Sequence, residues 1–395
     1  MAKLNAHSPV IVFLAKPFQT DSRPRQEAKS LVEANYSVFV LAWDREDEFK
    51  TVENVDGAVV RSFTLGASRS RFGLALGALV FQIVLVLESF RLIGRLGRKP
   101  IVHAHDFNTL LAGCFLRLFR LSAGLVYDAH ELAYAAYGEF FSPSIGNIIR
   151  LVEERLIRHV DSIITVSPAF ADYYRRFGRK TELVYNCPRA SDVPRLSRKK
   201  LRTRLGLPPN AFIVSYVGTA RYDSRLDLFL SVAKLLGADE RVMFLFVGGD
   251  ENGGPLAPDV KRIARGARVT FLPFTNPGPD ALAYVAASDL TWAIYNRQSL
   301  NMRMTLPWKF FESLACCVPV LVMKGTLLEE LVGRLRCGFV SNTDDPAEIS
   351  NLVSSLLDDS AKMRKTVFPE KGRIADEFTW ETMSRKLTEI YTAIH

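Results

Sequence analysis

The 395-residue sequence contains no Cys-x-x-Cys pair, no G-x-G-x-x-G turn and no G-x-x-x-x-G-K-[ST] loop. Its cysteines are Cys114, Cys187, Cys316, Cys317 and Cys337. Their odd number and their spacing argue against a disulfide framework and a zinc site, and fit a reducing cytoplasm. The missing glycine fingerprints disfavour a dinucleotide-dependent dehydrogenase and a P-loop kinase; "VGGDENGG" is glycine-rich but wrongly spaced. Low-complexity tracts and short-period repeats are lacking. The start, "MAKLNAHSPVIVFLAKPF", lacks the apolar region and cleavage pattern of a secretory signal, and Val10 to Ala15 reads as a first strand. Neither an RNA-binding aromatic signature nor a DNA-reading motif accompanies the formal net charge of +9, so nucleic acid is not an expected partner.

Uninterrupted apolar runs are short. The longest, Leu74 to Leu87 ("LALGALVFQIVLVL"), falls below the ~20 residues that a membrane-spanning helix needs. Arg69 and Arg71 precede it, and Arg91, Arg95, Arg98 and Lys99 follow. Two readings stand: a buried core helix, or an interfacial helix lying on anionic lipid. The second adds an anionic membrane surface to the partners and places a cytoplasmic protein at the inner face of the membrane.

What is present is an α/β alternation, with enough apolar residues (48%) for sizeable cores. "VIVFLA", "YSVFVLAW", "IVHA", "GLVYD" and "SIITV" read as strands of a first unit. "AFIVSYVG", "VMFLFVGG", "VTFLPF", "DLTWAIY" and "VPVLVM" read as strands of a second. Near-continuous apolar strands imply burial on both faces, hence mostly parallel sheets. The proline- and cation-rich stretch between them reads as a crossing. The expected division is residues 1–190, a basic linker at 191–205, and residues 206–375. A last helix within 376–395 is placed back on the first unit. Two such units with a cleft between them make a ligand site, because ligands collect beyond the carboxyl ends of parallel strands.

Candidate chemistry begins in "LPWKFFESLACCVPVL". Pro307 suits the first helical position, which puts Lys309 in the first turn and Glu312 three residues on, on the same face. A lysine there opposes the helix dipole unless an anion sits in front of it. That is the description of a diphosphate site, with Glu312 positioned to accept hydrogen bonds from a ribose diol. An ordinary i,i+3 ion pair on a solvated edge is the alternative. His130 follows the strand "GLVYD" at its carboxyl end and reads either as a site residue or as a satisfied structural histidine. His105 and Asp106 end "IVHAHD"; they line the acceptor side, or Asp106 caps the following helix.

The segment from "LPWKFFESLACCVPVLVMKG" to the acidic "NTDDPAEI" resembles the nucleotide-binding half of retaining GT-B-fold glycosyltransferases of family four. "SYVGTARYDSRLDLFLSVAKLL" is similar to the opening of that half. "DSRPRQEAKSLVEANYSVFVLA", "VHAHD", "LVYDAHEL" and "DSIITVS" are similar to the acceptor half, in order. The resemblance implies two facing Rossmann-like domains and a retaining sugar transfer that requires no metal. The donor would be a UDP- or GDP-sugar and the acceptor a glycan or a lipid-linked molecule, in surface polysaccharide or glycoconjugate synthesis. It assigns Lys309 and Arg225 to the donor diphosphate, with Arg221 a further cation in the loop that Gly218 starts, and Glu312 to the ribose. Arg225 also reads as a plain helix-surface cation. The resemblance sets His130 beside the transferred sugar, and His105, Asp106, Asp21 and Arg23 on the acceptor side.

The sequence departs from the family in three places. Met304 stands where many members carry a second glutamate, which leaves Asn301, Arg303 or the backbone of "NMRMT" to replace it. Cys317 replaces a usual glycine. Asp21 and Arg23 occupy a turn that is glycine-rich in many relatives. Two further functions share the fold: nucleotide-sugar epimerisation, and a non-catalytic protein that binds sugar nucleotide or scaffolds an assembly.

Overall fold

Runs of valine, isoleucine and phenylalanine form strands with both faces buried, as their lack of polar alternation requires. The computed structural model describes residues 7–65, 71–220, 224–249, 264–273, 279–360, 363, 367–368 and 376–394. The chain divides into two compact units, Met1–Tyr185 with Met383–His395, and Asn186–Thr382.

The first unit opens with β1 (Val10–Leu14), α1 (Ser22–Glu33), β2 (Val38–Trp43), β3 (Val52–Val55) and β4 (Ala58–Phe63). The long α2 (Arg71–Leu96) leads to β5 (Ile101–His105), then α3 (Phe107–Leu118) to β6 (Gly124–Ala129). After α4 (Ala133–Phe140) and α5 (Pro143–Leu156) come β7 (Ser162–Thr165), α6 (Pro168–Arg175) and β8 (Lys180–Leu183). Their sheet runs β3-β4-β2-β1-β5-β6-β7-β8. Every pairing is parallel except that of the short edge strand β3 with β4. The chain winds outward in both directions from the β1–β5 pair, so the topological switch point lies there.

The second unit has α7 (Arg198–Arg204), β9 (Phe212–Val217), α8 (Leu226–Leu235), β10 (Val242–Val247), β11 (Val269–Leu272), α9 (Pro279–Ala287) and β12 (Leu290–Ala293). It continues through α10 (Leu300–Met304), α11 (Trp308–Ala315), β13 (Val320–Met323), α12 (Leu327–Leu335), β14 (Gly338–Ser341) and α13 (Pro346–Asp358). Its sheet, β11-β10-β9-β12-β13-β14, is parallel throughout, with the switch point at β9 and β12. Strand β9 shows how one sequence feeds two cores. Phe212, Val214 and Tyr216 join one buried cluster, and Ile213 and Val217 join the other. Each such side chain contributes about 1.5–3 kcal/mol of burial. The last helix, α14 (Trp380–Thr392), begins in the second unit and ends in the first. There the Tyr391 hydroxyl and His103 Nδ1 share a 2.5 Å hydrogen bond.

Helix α2 is 26 residues long, not the short core segment that the uninterrupted apolar run suggests. It continues past Glu88 because that carboxylate is buried and paired with Arg61 and Arg91. Nor is it enclosed like a core helix: five of the 21 residues Leu76–Leu96 are buried, and that span is long and apolar enough to cross a membrane.

Candidate active site

At the carboxyl ends of β5 and β6, the first unit gathers an alternating chain of charges. Residues His105 and Asp128 are register partners on the two strands. His103 and His105 share one face of β5, while Asp128 and His130 are likewise two apart. Helix α1 supplies Arg23 and Glu27, four residues apart on its buried side. The Arg23 guanidinium donates to both oxygens of Asp128 (3.0 and 2.9 Å) and to the Val184 carbonyl (2.7 Å). His130 Nε2 lies 3.0 Å from Asp128 Oδ2, its Nδ1 3.4 Å from Asp106 Oδ2, and its backbone N–H donates to Asp106 (3.2 Å).

This arrangement fixes the protonation states. Burial alone would push the His130 pKa down, but Asp106 and Asp128 outweigh it and raise it to about 10. His130 is therefore an imidazolium at neutral pH, with both ring nitrogens facing carboxylates. Burial would raise the Asp128 carboxyl, yet Arg23 and His130 hold it well below the usual range. Burial pushes Glu27 well above that range against the pull of Arg23, and lowers both His103 and His105. Glu27, His103, His105 and Asp128 bring ligating atoms within 4.8 Å of one another. The His103 and His105 rings, however, stack nearly parallel (4.3 Å between centroids, 11° apart), so their lone pairs do not converge on one point. Arg23 already supplies a cation 3.1 Å from Glu27. The cluster has the geometry of proton sharing, not of metal ligation.

The residues expected on the acceptor side are placed as follows. Arg23 and His105 are both buried, Arg23 spending its donors on Asp128 and Val184 and His105 standing behind His130 with Nδ1 3.2 Å from His130 Nε2. Asp106 sits at the N-cap position of α3 but makes no side-chain cap bond; its carboxylate holds His130 instead. Asp21 caps α1 by accepting from the Arg23 N–H (3.3 Å), and it pairs with Lys16 (2.6 Å). Lys16, Glu27, His103 and Asp128 were missed. Polar residues at i,i+4 on the buried face of α1 and at i,i+2 on two apolar strands were the signals.

In the second unit, the ends of β9 and β10 meet the start of α11. Gly218 follows β9 with φ +126°, and its carbonyl lies where a Cβ on Gly248 would stand 2.0 Å away. A Cβ on Gly218 would meet Lys309 Cε at 2.9 Å. These two glycines let the backbones close together beneath the lysine. The Lys309 ammonium lies 3.4 Å from the centroid of the buried Tyr216 ring, a cation–π contact. Pro307 is the N-cap, one position earlier than expected, and provides no side-chain cap. Lys309 still falls in the first turn. Glu312 is buried on the same helix; burial pushes its carboxyl up to about 7, with Lys309 opposing.

Arg225 is the N-cap of α8 in a left-handed conformation (φ 44°). Its guanidinium pairs with Asp227 (3.0 Å) and Asp344 (3.2 Å), and Arg297 meets the other Asp344 oxygen at 3.1 Å. Arg221 lies outside the described residues. Met304 ends α10 half-buried, Asn301 is buried and Arg303 exposed. The structure thus groups Gly218 with Lys309, and His130 with Asp106 and His105.

The family described as "Glycosyl transferase 4-like domain" matches residues 22–187, and "Glycosyl transferases group 1" matches residues 197–373. A D-inositol 3-phosphate glycosyltransferase of Rhodococcus jostii is 26% identical over 313 residues, covering 75% of this chain and 66% of the relative. The chain thus spans about two thirds of that relative's length. Glycogen synthase of Mycobacterium tuberculosis is 22% identical over 332 residues, 84% of this chain and 77% of that protein. Among solved structures, sucrose-phosphate synthase from Thermosynechococcus elongatus superposes with a TM-score of 0.75 at 19% identity, covering 98% of this chain and 99% of that one. Anabaena HepE, solved with UDP and glucose, gives 0.70 at 18%, covering 98% and 100%. Two adjoining family matches and a fold shared end to end with these structures make the chain a family-four glycosyltransferase of the GT-B fold.

Proposed function

We propose that the protein transfers a sugar, with retention, from a UDP-sugar to a glycan or lipid-linked acceptor in surface polysaccharide or glycoconjugate synthesis at the cytoplasmic side of a membrane. The observation that carries this reading is Lys309 in the first turn of α11, laid over Gly218 at the switch point of the second sheet. A diphosphate there meets uncapped N–H groups, the helix dipole and an ammonium together. Arg225 joins it by exchanging a carboxylate partner for phosphate, and Glu312 accepts from the ribose hydroxyls. HepE was solved with UDP and with UDP-glucose, which supports uridine over guanosine in the donor.

In this reading His130, held cationic by Asp106 and Asp128, faces the reacting centre. Its charge stabilises negative charge as the diphosphate departs. It is not a general base, because its proton leaves only near pH 10. Cations and helix N-termini supply what a metal would otherwise supply. Domain limits near 190 and 206, with the last helix returned to the first domain, belong to the same proposal. Met304, in place of a glutamate, favours one second reading, a binder without turnover. Thermal shifts against a panel of nucleotide sugars, followed by nucleoside diphosphate release, test both. Stabilisation by a UDP-sugar with release supports transfer, stabilisation without release supports the binder, and no stabilisation contradicts both.

A further inference from the structure

Most large apolar side chains that face solvent among the described residues sit on four consecutive helices of the first unit; elsewhere only Val52, Val59, Leu196, Leu235 and Phe271 are so exposed. On α2 they are Leu76, Leu79, Val80, Ile83, Leu87 and Phe90, spaced to form one helical stripe. On α3 they are Leu111, Phe115 and Leu118, with Phe119 just beyond. On α5 they are Ile145, Ile148, Leu151 and Val152. Helix α3 packs between α2 and α5, so the stripes adjoin. Ile83 is 57% exposed, Leu118 62% and Phe119 60%. Single exposed leucines need no explanation, but an adjoining set on three packed helices marks a docking face.

The charge around this face names its partner. Helices α2, α3 and α5 each lead into a parallel strand, so their carboxyl ends gather at the amino-terminal edge of the sheet. Arg91, Arg95 and Lys99 collect there from α2 and its turn, Arg117 and Arg120 from α3, and Arg155 and Arg158 from the end of α5. Cations at helix carboxyl ends complement the dipole, and three of these, Arg117, Arg120 and Arg158, also line a cavity. It holds about 290 Å³ and is lined by Arg117, Arg120, Arg158, His159, Asp161 and Arg179, with Leu118 at its edge. Asp161 is answered by Arg117 (2.7 Å), which leaves an excess of arginine charge. The volume falls just below the ~300–1,000 Å³ range of small-molecule pockets, a size for a headgroup and not for a whole ligand.

We infer that the α2–α3–α5 face docks on an anionic phospholipid bilayer, its apolar stripes entering the interface and a lipid phosphate occupying the arginine cavity. Helix α2 lies in the plane of the membrane rather than across it, because its other side packs on α3 and buries Phe81 and Leu85. This inference does not depend on the transfer reading, since its readout is binding alone.

The test is flotation of the full chain with vesicles of phosphatidylcholine, with and without 30% phosphatidylglycerol. Recovery is expected only with the anionic vesicles, and is expected to fall in high salt as the surface attraction is screened. Arg120→Gln with Arg158→Gln should weaken partitioning about thirtyfold, from the typical contribution of two surface cations. Ile83→Ser with Leu87→Ser should abolish flotation while leaving the melting temperature unchanged, because both side chains already face solvent. Equal recovery on neutral vesicles, retention in high salt, or wild-type binding by both double variants would overturn the inference. So would a dimer lost in Ile83→Ser with Leu87→Ser together with no vesicle binding, which would assign the face to a second copy.

Discussion

Replacing Asp106 by asparagine should expose how His130 is kept charged. In the wild type, the rise of the His130 pKa from the ordinary 6.5 to about 10 corresponds to about 5 kcal/mol of preference for the imidazolium. Asp106 and Asp128 share that preference. Asp128 is fully buried and also holds Arg23, so its removal would leave a buried guanidinium short of a partner and cost about 3–5 kcal/mol of stability. Asp106 is partly exposed and makes no cap bond, so Asp106→Asn is the gentler perturbation. A neighbouring opposite charge moves a pKa by about 1–3 units. Solvent screening of Asp106 puts the expected fall at about one to two units. The assay is an NMR titration of the histidine ring carbons, with His130 assigned by its loss in His130→Gln. Because the folded pKa lies above the unfolded one, the stability contributed by the cation is complete below about 6.5 and lost as pH rises through 10. In Asp106→Asn that loss should still begin near 6.5 but be complete about one to two units earlier, and turnover should acquire an alkaline limb at that lower pH. A wild-type ring titrating near 6.5, or a variant with no shift, would refute the reasoning.

Lys309→Ala should weaken UDP binding by about 1.5–3 kcal/mol, the size of a charge-assisted hydrogen bond, and leave uridine binding nearly unchanged; equal losses measured by calorimetry would make the lysine structural. Glu312 is buried with its carboxyl raised from 4.5 to about 7, so its ionisation penalises the folded state as pH rises through that window. Glu312→Gln should therefore gain melting temperature over the wild type between about pH 5 and 8, while losing affinity for ribonucleotides far more than for 2′,3′-dideoxy analogues. A pH-independent difference in melting temperature, or equal loss for both ligands, would count against it.

Most interior strands were legible because they are short, apolar and β-branched, and their burial on both faces leaves no competing pattern; β4, buried at alternate positions, was not. Among edge strands β11 was legible, but β3, β8 and β14 were not. "VENV" in β3 and "KTEL" in β8 pair on one side only and carry polar residues, which leaves them without a strand signal. Lys309 was legible because it breaks a local rule, placing positive charge at the positive end of a helix. His130 was found by its strand end. Arg23 and Asp106 were named, but not their link to it, since Arg23 and Asp128 are 105 positions apart and only the tertiary fold brings a guanidinium to a strand interior. Cys317, where the family usually has glycine, takes φ 51° just after α11, a left-handed position that glycine occupies without strain. The length of α2 was hidden by Glu88, whose charge is neutralised by arginines distant and near.

The central claim is a division of labour, with the second unit binding the donor diphosphate and His130 of the first acting on the reaction. It is tested most directly by measuring nucleoside diphosphate release and UDP affinity side by side in wild type and His130→Ala. The account predicts unchanged UDP affinity and release at least ~100-fold slower, the loss expected when a group acting only in the transition state is removed. Near-normal release, or UDP affinity lost in step with it, would contradict the account.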